Sequence, residues 1–131
     1  MSPKILIVED TQTITALIQI YLMGQNIQFM VAADGAQGLA RAREFLPTLI
    51  LSDVQMPVMD GFALCAAVRA DLQLSHTPVV LLTSLNDGAS RAKGRLVGAS
   101  GFLCKPVSVV ELRAKVAEFL KPATPSTAGG P

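Results

Sequence analysis

The sequence predicts an α/β fold, a parallel sheet with helices on both faces. Three observations carry that expectation. Strand-like apolar runs alternate five times with stretches of helical periodicity, and strict alternation requires parallel strands joined by right-handed helical crossovers. Half of the residues are hydrophobic and only 16% are charged, with a mean hydropathy of +0.45, which suits a sheet covered on both sides better than a one-sided sheet. At 131 residues the chain has the length of one domain with its own core.

The elements follow in order. Ile5-Leu6-Ile7-Val8 is a β-branched run of strand length. In the next segment Ile14, Leu17, Ile18 and Tyr21 recur at helical spacing, and Gly24 is a suitable stop. Residues 26–32 alternate Ile27, Phe29 and Val31 with Gln28 and Met30 and read as a second strand. Residues 35–46 are helical, with Leu39, Ala42 and Leu46 on one side. Thr48 to Ser52 form a third strand. Asp60, with Gly61 beside it, caps a helix over 61–72. A fourth strand follows Pro78, and a helix weakened by glycines covers 87–98. Residues 101–104 are a short fifth strand. Ser108 to Glu111 is a capping-box pattern opening a last helix that carries Leu112, Val116, Phe119 and Leu120. From Lys121 the chain is rich in Pro, Ser, Thr, Ala and Gly without apolar period. The expectation is a domain over 1–120 and a disordered tail or the start of an interdomain linker over 121–131.

Several function classes are disfavoured at once. A net charge of +1 gives no reason to expect binding to nucleic acid or an acidic membrane. Only four apolar residues precede Glu9-Asp10, too few for a signal-peptide core, and no apolar run approaches a membrane span. A soluble, cytoplasmic protein is expected. Cys65 and Cys104 are far apart, lie in apolar runs and read as two buried reduced thiols. His76 has no second histidine or cysteine pair to accompany it and reads as a loop residue.

Ligands of open parallel sheets bind beyond the carboxyl ends of the strands. There the chain places Glu9-Asp10, Asp53, Thr83-Ser84 and Lys105-Pro106. Asp53 is the hardest to explain otherwise: a buried strand gains little stability by ending in an isolated aspartate. Each of the others has an ordinary explanation alone: acidic residues at a helix start, turn hydroxyls, a surface lysine. Together they are three carboxylates, a hydroxyl pair and an ammonium at one rim. Crowded carboxylates repel and tend to take up protons unless a cation removes the repulsion. Oxygen donors suit Mg²⁺ (or Mn²⁺), and a metal, a lysine and a hydroxyl suit a phosphoryl group.

In that arrangement the chain resembles the receiver domain of two-component response regulators. The resemblance lies in Glu9-Asp10, in Asp53 within "SDVQMPVMDG", in Thr83 within "VVLLTS", and in Phe102 with Lys105-Pro106 within "GASGFLCKPV". It covers residues 4 to 120. It implies a flavodoxin-like three-layer sandwich with strand order 2-1-3-4-5. It implies that Asp53 is the phosphoacceptor, and that Asp10, Asp53 and the backbone carbonyl of Gln55 bind Mg²⁺, with Glu9 acting through metal-bound water. Lys105 would pair with the carboxylate and then the phosphoryl group, Thr83 would bond a phosphoryl oxygen, and Phe102 would be the switch aromatic. The Lys105-Pro106 bond is expected cis. The donor is expected to be a histidine kinase or phosphotransfer protein. The output is a helix4-strand5-helix5 face that regulates a downstream protein target, from a monomer or weak dimer in a prokaryotic cytoplasm. Glu9 stands where aspartate is commoner, and Leu85 stands where bulk would shield an acyl phosphate from water.

Two other readings compete. A Mg²⁺-dependent aspartate-based phosphatase of the haloacid dehalogenase kind needs a general acid two residues after the nucleophile, and Gln55 cannot serve. A phosphate-independent interaction module would have no use for the full set of site residues.

Overall fold

A computed structural model of the chain describes residues 2–84 and 88–120. Leu85 and the segment 121–131 lie outside the described residues. The elements are β1 (Lys4–Val8), α1 (Gln12–Tyr21), β2 (Gln28–Ala32), α2 (Gly35–Phe45), β3 (Leu49–Asp53), α3 (Gly61–Ala70), β4 (Val79–Thr83), α4 (Gly88–Leu96), β5 (Gly101–Cys104) and α5 (Val109–Leu120). All strand pairs are parallel, in the order β2-β1-β3-β4-β5, as the resemblance implied.

The period-2 alternation of strand side chains splits the apolar strands between two cores. Leu6, Val8, Ile50, Val79 and Leu81 face Ala42 of α2 and Phe62, Leu64, Cys65 and Val68 of α3. Ile5, Ile7, Leu49, Leu51, Val80 and Leu82 face Ile18 of α1 and Leu112 and Val116 of α5. The three inner strands are buried along nearly their whole length. Such strands have a register fixed from both sides, and a one-residue slip would exchange the two cores.

Local chemistry ends the elements where it should. Asp34 and Asp60 cap α2 and α3 by accepting from the backbone N–H of Gln37 and Ala63, each at 2.8 Å. Ser108 Oγ accepts from Glu111 N at 3.0 Å, and its hydroxyl donates to Glu111 Oε1 at 3.3 Å. Gly24 has φ +88°, the left-handed conformation that glycine adopts without strain.

Two expectations are corrected. Leu46 does not join the apolar side of α2. It is the left-handed residue after the helix (φ 50°), its N–H turns back to Ala42 O at 2.8 Å, and its side chain is half exposed. Of the two cysteines only Cys65 is buried; Cys104 is half-buried near the open edge of β5, under Arg91. His76 lies in the exposed α3–β4 turn, as expected.

Candidate functional site

β1 and β3 are adjacent and in register, with Val8 opposite Ser52. The residues that follow, Glu9 and Asp53, therefore leave the sheet side by side. β4 and β5 bring Thr83 opposite Cys104, so Lys105 emerges at the same rim, its N–H donating to Thr83 O at 3.0 Å.

Carboxylate oxygens of Glu9, Asp10 and Asp53 lie within 4.8 Å of one another. Asp53 is 6% exposed and Glu9 3% exposed, while Asp10 faces solvent. Lys105 Nζ donates to Asp53 Oδ2 at 3.0 Å and to Glu9 Oε1 at 3.2 Å. The second oxygen of Asp53 accepts from Val54 N at 2.8 Å, and that of Glu9 from Thr11 N at 3.3 Å. Thr83 closes β4 as a buried hydroxyl. The Lys105-Pro106 peptide is cis.

One ammonium faces three carboxylates, and the electrostatics show it. Burial, then repulsion from Asp53, lifts the Glu9 pKa to about 7, although Lys105 pulls it down. Burial disfavours the charge on Lys105, but the hydrogen bond and attraction of Asp53, followed by Glu9, outweigh it and raise its pKa. The site thus holds a surplus of negative charge with hard oxygen donors close enough to share one small divalent cation. That donor set fits Mg²⁺ or Mn²⁺.

Gln55, expected to contribute its backbone carbonyl, lies in the turn after β3 with its side chain exposed. Phe102 stands apart, half-buried, its ring against α4, with the Arg91 guanidinium 5.2 Å from its centre.

Residues that sequence reasoning overlooked build the cradle. Gly61 had been assigned only to a helix start. Its N–H donates to Val54 O at 2.8 Å, and a Cβ there would lie 2.2 Å from the Asp53 carbonyl oxygen. Only glycine lets α3 begin this close to the aspartate. The signal was the Asp60-Gly61 pair directly after the proline-bounded loop. Val58, in that loop, has φ 69° and is 85% exposed. A β-branched residue is strained in that region, and nothing in the sequence announced it.

Comparison with known proteins decides what this rim belongs to. The family described as response regulator receiver domain matches residues 5–117. The chain belongs to that family. This receiver domain is 41% identical over 116 residues to the response regulator PleD of Caulobacter vibrioides, spanning 88% of the chain but only 26% of PleD. Its structure is similar to that of the Vibrio cholerae chemotaxis protein CheY4 (TM-score 0.86, 34% identity, 92% of this chain and 100% of that one). It is also similar to the receiver domain of the Pseudomonas aeruginosa sensor histidine kinase PA1611, which has a magnesium ion coordinated in its active-site cleft (TM-score 0.84, 25% identity, 93% and 100% covered). Receiver domains are phosphorylation-activated signalling switches, and the phosphatase and phosphate-independent readings are not favoured. Among the described residues no helix is long and apolar enough to cross a membrane.

Proposed function

We propose that Asp53 of this receiver domain accepts a phosphoryl group from a phosphohistidine donor, a histidine kinase or a phosphotransfer protein, in the cytoplasm. The observation that carries the reading is the shared position of Lys105 Nζ between Asp53 and Glu9, two of the three clustered carboxylates.

In the reaction a carboxylate oxygen of Asp53 forms the new bond to phosphorus as the bond to the donor imidazole nitrogen breaks. The product is an acyl phosphate, and the imidazole leaves with the electron pair. The β3 strand and the bond from Val54 N hold the carboxylate for in-line approach. Lys105 shifts its hydrogen bonds from carboxylate to phosphoryl oxygen, and the Thr83 hydroxyl donates a second. Asp10, Asp53 and the backbone carbonyl of Gln55 would hold Mg²⁺, with Glu9 behind a bound water. The ion would supply neutralisation of the charge gathered at the transferring group.

Phosphorylation adds about −1.5 to −2 charges at neutral pH. The added charge draws Thr83 and Lys105 inward and biases Phe102, moving the face formed by α4, β5 and α5 that a downstream protein reads. The switch unit lies within residues 1–120. It turns over no substrate besides its own phosphoryl group, since Gln55 offers no proton for a second step.

The test is intact mass after incubation with Mg²⁺ and acetyl phosphate. Wild type gains one phosphoryl group and Asp53→Ala gains none; equal gain by the variant overturns the assignment.

A further inference from the structure

Among the described residues the buried polar side chains are Glu9, Thr15, Ser52, Asp53 and Thr83. Glu9, Asp53 and Thr83 belong to the site. Thr15 returns its hydroxyl to Thr11 O within the first turn of its own helix. Ser52 is left, fully buried, on the strand directly before the phosphoacceptor.

Packing gives no reason for a serine there. Ser52 lies opposite Val8 on β1 and Leu81 on β4. By alternation it shares the face of Ile50, which looks into the core against α2 and α3. A hydroxyl in such surroundings is costly unless it is bonded, and the bond returns little net stability. Alanine would fill nearly the same space. What the hydroxyl does is donate to Asp53 O at 2.9 Å.

That carbonyl belongs to the Asp53–Val54 peptide, a planar unit whose C=O and N–H point opposite ways. Its N–H end is shared: Val54 N donates to Asp53 Oδ1 at 2.8 Å and to Leu82 O at 3.1 Å. A small rotation of the plane would turn this N–H away from the carboxylate and toward Leu82. The other donor to the carboxylate, Lys105 on Oδ2, sits on a flexible stem and leaves for the phosphoryl group during transfer. The hold on Asp53 then rests on Val54 N–H.

We propose that Ser52 is a positioning residue for phosphoryl transfer: its hydroxyl fixes the Asp53 carbonyl, thereby sets the Asp53–Val54 peptide plane, and so keeps Val54 N–H aimed at Asp53 Oδ1. The proposal rests on Asp53 being the acceptor. Ser52 acts through the backbone and touches no transferring atom.

Three variants at this position, assayed with Mg²⁺ and acetyl phosphate, test it. Ser52→Ala removes the donor, Ser52→Cys fills the space with a weak donor, and Ser52→Thr keeps the hydroxyl. In Ser52→Ala and Ser52→Cys the limiting rate of phosphorylation is expected to fall about tenfold or more, with the half-saturating acetyl phosphate concentration and the urea midpoint close to wild type. In both, the Val54 amide proton should move upfield as its bond to the carboxylate lengthens. Ser52→Thr is expected to restore rate and resonance. A wild-type limiting rate in Ser52→Ala overturns the proposal, as does an unmoved Val54 resonance, or a folded threonine variant as slow as the cysteine one. Should Ser52→Thr not fold, the alanine and cysteine variants decide. Should the wild type itself take up no phosphoryl group, the assignment of Asp53 fails, and the Val54 resonance still decides whether Ser52 sets the peptide plane.

Discussion

Two cations hold opposite ends of the sheet, and they do so differently. At the amino end, Arg69 of α3 donates to Gly98 O at 2.9 Å, Thr77 O at 2.6 Å, Ser75 O at 3.4 Å and Ser100 Oγ at 3.1 Å. Its acceptors are neutral, and its stem packs on Gly98. It ties the α3–β4 loop to the α4–β5 loop. At the carboxyl end Lys105 faces two buried carboxylates with a third nearby. Charges at this end are only partly compensated, which costs stability and leaves electrostatic work to be done by a cation or a phosphoryl group. The amino end has hydrogen bonds to lose; the carboxyl end has a charge state to change.

The largest expected effect breaks function and spares the fold. Lys105→Ala lowers the rate of phosphorylation by acetyl phosphate about 10²- to 10³-fold, the size of losing one preorganised donor to the reacting oxygens. Its urea midpoint moves less than that of an Arg69 variant. A Lys105→Ala protein that unfolds as readily as one lacking Arg69 would remove the contrast. The reverse experiment is Arg69→Ala. It leaves several buried or half-buried carbonyls without their charged donor and costs about 3 kcal/mol, read from denaturant unfolding. The phosphorylation rate per folded molecule stays at the wild-type value, because Arg69 touches nothing at the site.

What was legible in the sequence follows the same division. The five strands and the rim residues could be read because each depends on position along the chain, an apolar run and then the residue just after it, whereas the strand order followed only from the resemblance. Glu9, Asp53, Thr83 and Lys105 lie where that rule put them. The Arg69 clamp was invisible, since its acceptors are backbone carbonyls, which any residue supplies. The glycines of α4 read only as a weakness of that helix. Yet a Cβ at Gly94 would lie 2.4 Å from Phe102 Cζ, so this glycine makes the room in which the ring rests. Leu46 was misplaced because helical spacing continues one residue past the point where the backbone turns left-handed. These are facts of close approach and backbone conformation, and a periodic pattern does not encode them.

The smallest expected effect is the one that sharpens the comparison, because it depends on pH. Glu9 has a folded pKa of about 7, above its ordinary value of 4.5. Between those values the folded state binds more protons than the unfolded state, so this group's contribution to stability falls as pH rises through that window. Below about pH 4.5 the penalty is absent, and above about pH 7 it is complete. Glu9→Gln removes the titration but also gives up the attraction to Lys105. In chelator the variant is expected to be more stable than wild type by about 2 kcal/mol at high pH, and no more stable at the acid end of the window. Millimolar Mg²⁺ should close most of that gap by compensating the ionised carboxylates of wild type. Arg69→Ala, assayed alongside, should lose the same stability with and without Mg²⁺ across the whole range. A Glu9→Gln difference that ignores both pH and Mg²⁺ would mean that the carboxyl end, like the amino end, is held by hydrogen bonds alone.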